Sequence, residues 1–286
     1  MKSIFGNKLK SFIGKAGSTG TDSGPFKAEI ISVASLKGGV GKTTTAIHVA
    51  SAFSFFQGKK TLLVDLDPQS QIAVSLGIDN RNMPGIADVF LEQKDIFDVR
   101  QRVDALGLDI IVAGEQIQLA ETKLNSKVGK ELFLKKLLKK IATYYEVIIF
   151  DCPPSKGVLT LNSLMASGWL LLPCELSKLS IDGASSMIQM CIELEENLDH
   201  NIELLGIAVT KFDKRNSSMN KAIEAEIGDE MKGFFLENRV PINTSLMKAQ
   251  ASGKAVYQTE PSSTSSVSYQ KLAREIGNRL WNFQEH

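Results

Sequence analysis

The stretch Ser35–Thr45, SLKGGVGKTTT, constrains this chain more than any other. An apolar run, EIISVAS at 29–35, leads into it, and a segment of helical pattern, about 43–57, leaves it. Gly38, Gly39 and Gly41 let successive backbone N–H groups turn inward and form a concave nest for phosphate oxygens. A helix starting near Thr43 points its positive end at the same anion. Strand, glycine loop and helix in that order are the context a phosphate loop requires. Within it Lys42 can bridge β- and γ-phosphates, Thr43 supplies the hydroxyl expected on Mg²⁺, and Thr44 can reach the α-phosphate. The loop departs from the GxxxxGK[ST] spacing in a specific way. Leu36 stands where the first glycine belongs, and a second lysine, Lys37, follows it.

The rest of the chain repeats the alternation. Strand-like runs lie at 29–35, 60–67, 108–114, 145–153, 168–175, 203–212 and 238–242. Helical segments lie between them at about 43–57, 117–143, 158–166, 181–198, 217–232 and 267–283. Most of the strand runs are continuously apolar, so both faces of each strand are covered. The expectation is an α/β fold: a single P-loop domain over residues 28–286, with a mostly parallel twisted sheet of about seven to eight strands and helices on both faces. Residues 1–27 read as a flexible basic N-terminal extension, with four lysines before the first acid, Asp22. Met1, Ile4, Phe5, Leu9, Phe12 and Ile13 fall on one half of a helical wheel there, the pattern of a short amphipathic segment. A net charge of +1 gives no global nucleic-acid or membrane signal, so such binding needs a local patch. Cys152, Cys174 and Cys191 lack metal-ligand spacing and read as buried free thiols in a reducing compartment. No apolar run approaches the roughly 20 residues that span a bilayer.

Lys37–Thr44 resembles the deviant Walker A motif of the ParA/MinD family of ATPases. The resemblance covers about residues 28–283 and includes LLVDLDPQSQ at 62–71 and VIIFDCPPS at 147–155. It implies an ATP hydrolase with ATP and Mg²⁺ as cofactors. The nucleotide would be held by Lys37, Gly38, Gly39, Val40, Gly41, Lys42, Thr43 and Thr44, with Lys211 and Pro241 at the adenine. Lys37, Lys42 and Asp67 would carry catalysis, Asp67 by positioning or activating the attacking water. Thr43, Asp65 and Asp151 would surround the metal. Lys37 would reach the ATP of the opposing subunit in a homodimer, a cation at the γ-phosphate acting like an arginine finger.

Within the family, the cysteines do not suit the iron–sulfur branch, and the stripe Leu272, Ile276, Leu280 and Phe283 reads as core-facing. An extension of 27 residues is short for an operator-reading helix-turn-helix. The resemblance therefore implies a ParA/Soj-like partitioning ATPase, cytoplasmic and nucleoid-associated, that binds nonspecific DNA as an ATP dimer and answers to a ParB-like activator. Lys214, Arg215, Lys221, Lys248 and Lys254 are the DNA-contact candidates. Ile242 and Ser245 stand where the family commonly has arginines. Two alternatives remain at this point: a MinD-like ATPase at a membrane surface through residues 1–16, and a small-molecule enzyme on the related phosphate-loop fold.

Overall fold

The computed structural model describes residues 28–281, so the N-terminal extension and Phe283 lie outside the described residues. Seven strands form one sheet: β1 Glu29–Val33, β2 Thr61–Asp65, β3 Gln101–Val103, β4 Leu108–Ile111, β5 Val147–Asp151, β6 Trp169–Cys174 and β7 Glu203–Val209. Their order is β3-β4-β2-β5-β1-β6-β7, and every pairing is parallel except β3 with β4. All five residues of β2 and of β5 are buried, as continuous Leu, Ile and Val runs require when helices cover both faces.

Ten helices matter here: α1 Lys42–Gln57, α2 Gln71–Ser75, α3 Ile86–Phe90, α4 Ile117–Asn125, α5 Phe133–Ile141, α6 Val158–Ala166, α7 Lys178–Leu198, α8 Ser217–Glu226, α9 Thr244–Ala251 and α10 Thr264–Trp281. One core joins one face of the sheet to α4, α5, α6 and α7. The second core joins the other face to α1, α9 and α10. Helix α1 is the most central: Thr45 through Phe53 are all buried, because α10 packs along the side that the sheet leaves free.

The structure refines the sequence reading at several points. The single helix expected over 117–143 is two, α4 and α5, separated by a loop in which Gly129 adopts a left-handed φ of 66°. The run at 238–242 is not a strand. One isolated bridge joins Phe212 to Pro241, and proline has no N–H with which to extend a ladder. The short antiparallel edge strand β3 and the helices α2, α3 and α9 carry too little periodicity to be expected from sequence. The three cysteines are buried free thiols.

Asn162, buried in α6, ties two helices together. Its Oδ1 accepts from the Leu134 N–H at 2.9 Å, and its Nδ2 donates to the Lys130 carbonyl at 2.8 Å and to the Val158 carbonyl at 2.9 Å. The start of α5 thus hangs on the helix that follows the Asp151 loop.

Candidate nucleotide site

The C-terminal ends of the central parallel strands open onto a cavity of about 730 Å³, where open α/β sheets place their ligands. The glycine loop forms its floor. Gly39 and Gly41 have φ of 76° and 81°, left-handed values that a side chain resists. Gly41 precedes α1, and no side chain caps that helix, so the first-turn N–H groups face the cavity without a side-chain acceptor. The Thr210 hydroxyl fixes the loop by donating to the Val40 carbonyl at 2.7 Å.

Most of the predicted site converges here. Gly38, Gly39, Gly41, Lys42, Thr43, Thr44, Asp67, Lys211 and Pro241 line the cavity. Val40 is fully buried and takes part through its carbonyl. Lys42 is nearly buried, and burial lowers its pKa, opposed by the charges of Asp151 and Asp67. Pro241, Ile242, Leu246 and Met247 give the cavity an apolar side suited to a flat base. Lys211 beside them holds a φ of 50°, unusual for a side-chain-bearing residue and found at sites the surroundings over-determine.

The three carboxylates divide by environment. Asp67 faces the cavity, and its Oδ1 accepts from the Gln69 N–H at 2.9 Å. Asp65 is fully buried, and both its oxygens are engaged by backbone: Oδ1 by the Asp67 N–H at 2.9 Å, Oδ2 by the Ile72 N–H at 3.2 Å. It therefore shapes the segment that presents Asp67. Asp151, its register partner on β5, is fully buried with no hydrogen bond to either oxygen. Burial first, and the nearby Asp67 charge, push its carboxyl up to about 7, opposed by the adjacent Thr43 hydroxyl and the Lys42 charge. A buried carboxylate without a donor is the acceptor a hydrated divalent cation lacks, so the residues fit Mg²⁺.

A prediction follows from that orphaned charge. The folded protein holds the Asp151 proton more tightly than the unfolded chain, so the cost of ionising it is complete above about pH 7 and is relieved as pH falls toward 3.8. Asp151→Asn should raise the unfolding free energy of the ligand-free protein by about 2–4 kcal/mol at pH 8. It should also remove the Mg²⁺-dependent part of nucleotide stabilisation. Urea melts with and without Mg²⁺ check both, and a less stable variant would contradict the first.

Glu175 and Thr210 escaped sequence reasoning, since each looks like an ordinary strand-end residue. Glu175, just past β6, accepts from Lys37 Nζ at 2.8 Å and pairs with Lys211 Nζ at 3.2 Å. Ser177 Oγ lies 3.3 Å from the same Lys37 Nζ. Lys37 is thus turned from the cavity formed by its own loop and is absent from its lining.

His48 is held neutral. Its Nδ1 donates to the Thr44 carbonyl at 2.7 Å, its Nε2 accepts from the Val256 N–H at 3.1 Å, and its ring stacks on Tyr269 at 4.8 Å. Burial pulls its pKa from 6.5 to about 4. Below pH 6.5 the unfolded chain takes up a proton that the folded chain refuses, so this contribution is present above that pH and lost toward pH 4. The wild-type unfolding free energy minus that of His48→Asn should fall by about 2 kcal/mol from pH 7 to pH 5. Parallel pH curves would refute it.

The DNA-contact candidates stand in different local settings. Arg215 pairs with Asp213 at 2.8 Å and Lys248 with Glu260 at 3.4 Å, while Lys254 lines the nucleotide cavity. Lys214 lies in the turn after β7 and Lys221 on α8.

A phosphate-binding glycine loop, a buried lysine and strand-end carboxylates around one cavity define a P-loop nucleotide hydrolase. Residues 28–204 match the family described as an AAA domain. Sporulation initiation inhibitor protein Soj of Bacillus subtilis is 30% identical over 249 residues, covering 87% of this chain and 98% of that protein. Chromosome partitioning protein ParA of Myxococcus xanthus is 32% identical over 255 residues, covering 87% and 88%. A solved structure described as cobyrinic acid a,c-diamide synthase from Mycobacterium smegmatis, with bound ADP and magnesium, is similar with a TM-score of 0.74 and 28% identity, covering 88% of this chain and 95% of that one. The chain belongs to the ParA/Soj-like ATPases of the ParA/MinD family, and it is an ATPase whose cofactors are ATP and Mg²⁺.

Proposed function

We propose that this ATPase is a partitioning protein. ATP pairs two copies, the ATP dimer holds DNA without sequence preference in the cytoplasm, and a ParB-like activator stimulates hydrolysis and releases the dimer, so that a DNA or protein cargo is moved or spaced. The observation that carries this reading is the placement of Lys37. A loop lysine that does not line its own cavity, and rests on a carboxylate beside it, is available to the phosphates of a second subunit.

Within the cavity, Lys42 and the α1 N-terminus take the phosphates, with Lys211 and Pro241 beside the base. The Thr43 hydroxyl and, through water, Asp151 would hold Mg²⁺, which would supply charge neutralisation for the phosphates. Asp65 belongs to those surroundings through its grip on the Asp67 segment. Asp67 accepts a proton from, or orients, the attacking water.

A small-molecule enzyme needs a second substrate space joined to the phosphates. A second cavity, about 580 Å³ beside Lys59, Arg100 and Asp109, lies at the N-terminal ends of the strands, away from the glycine loop. The membrane alternative rests on residues 1–16, outside the described structure. No helix among the described residues is long and apolar enough to cross a membrane.

The deciding experiment is co-sedimentation of the full chain with nonspecific duplex DNA, with ATP, ADP or no nucleotide, at low and high salt. Binding with ATP alone, lost at high salt, supports the reading; no binding in any state refutes it. A vesicle arm, comparing the full chain with one lacking residues 1–26, tests the membrane alternative.

A further inference from the structure

Positive charge is concentrated where neither the nucleotide site nor the DNA-contact candidates use it. Residues 123–140 carry seven lysines against one acid, Glu131, in a chain of net charge +1. The segment runs from the end of α4 through an exposed loop and along α5. The apolar side of α5 is committed to the core, with Leu134, Leu138 and Ile141 fully buried. What the helix offers outward is lysine. Lys127 pairs with Glu92, and Lys140 with Asp95 at 2.6 Å. Lys123, Lys136 and Lys139 are exposed, and no acidic partner faces them among the described residues.

We infer that this lysine band is a phosphate-contact surface for duplex DNA. The inference rests on the partitioning reading and names its DNA surface. Three observations favour nucleic acid. Unpaired lysines on a rigid, core-anchored helix recognise closely spaced phosphates by charge alone, which is what sequence-independent binding needs. An interfacial membrane helix needs an apolar face to insert, and the apolar face of α5 is buried. The earlier candidates Arg215 and Lys248 are paired within the chain, and Lys254 faces the nucleotide cavity.

The band is also connected to the nucleotide site. Asn162 holds the Lys130 carbonyl and the Leu134 N–H from within α6, and α6 begins at Val158, shortly after Asp151, Pro153 and Pro154. Pro154 itself lines the nucleotide cavity. Any shift of that loop with nucleotide would reach the start of α5 through this one buried side chain.

The test is the variant Lys123→Gln/Lys136→Gln/Lys139→Gln in the full chain, with ATP, on nonspecific duplex DNA across about 50–200 mM salt. Basal ATP hydrolysis controls for folding, since none of the three touches the cavity. The variant should bind at least about tenfold more weakly, and its log affinity against log salt should be shallower by about 2–3. Wild-type affinity and slope in this variant, with the loss appearing in Lys214→Gln/Lys221→Gln instead, would overturn the assignment while leaving the partitioning reading intact. A wild-type protein that binds no duplex in any nucleotide state would remove that reading and the inference with it. Lysine-dependent binding to phosphatidylserine vesicles without binding to duplex would show the band to be a membrane surface and would also overturn it.

Discussion

Asp67→Asn should lower single-turnover ATP hydrolysis by about 100-fold or more while leaving ATP affinity within a factor of about two, the signature of a lost proton acceptor. The geometry makes the substitution clean. Asp67 Oδ1 accepts from the Gln69 N–H, a contact the asparagine Oδ1 reproduces, and the Asp67 N–H remains held by Asp65. The backbone that presents residue 67 is therefore kept. Only the second carboxylate oxygen of this cavity-lining residue is exchanged, for an amide that cannot accept a water proton. Quenched single-turnover kinetics beside equilibrium binding of an ATP analogue separates the two quantities. A matched loss of affinity would make Asp67 a binding residue; unchanged turnover would remove it from the chemistry.

The fold was legible in this sequence because strands covered on both faces carry continuous apolar runs, as Leu62–Val64 of β2, Val147–Phe150 of β5 and Trp169–Leu172 of β6 do. The phosphate loop was legible because its backbone needs glycines at fixed offsets, and Gly39 and Gly41 do adopt left-handed φ. Asp67 and Asp151 could be read as strand-end carboxylates, but their different environments could not. The two donors on Asp65 and the absence of any on Asp151 depend on how the loop after β2 folds back, with the Ile72 amide reaching Asp65 from α2. Glu175 was hidden for a similar reason. Its contact with Lys37 joins residues 138 positions apart, and nothing local marks it. The surface lysines show the limit most clearly. Sequence counts Arg215 and Lys248 as free cations, whereas the fold places Asp213 and Glu260 against them. The apolar stripe of α5 reads from its periodicity, but that all of it is spent on the core, leaving the lysines as its offered surface, requires the packing.

Lys37→Ala should abolish ATP-driven dimerisation and reduce partner-stimulated hydrolysis by about 10³-fold or more, the scale of a lost cation at the γ-phosphate. The monomer should be little affected. The Lys37–Glu175 pair is partly exposed on both sides, and such pairs contribute about 0–1 kcal/mol. Lys42, which does line the cavity, remains to bind ATP within the chain. The same weakness explains how the lysine can change partners: a contact worth at most about 1 kcal/mol is readily exchanged for one to a triphosphate. Glu175→Gln therefore makes the opposite prediction. It keeps a hydrogen-bond acceptor for Lys37 but removes the charge, and should shift the ATP-dependent monomer–dimer equilibrium toward the dimer by about two- to fivefold, within the value of such a pair. Sedimentation velocity with a non-hydrolysable ATP analogue measures both variants on one scale. A Lys37→Ala protein that still dimerises with nucleotide would place the second lysine outside the partner's site, and the trans role would have to pass to another residue.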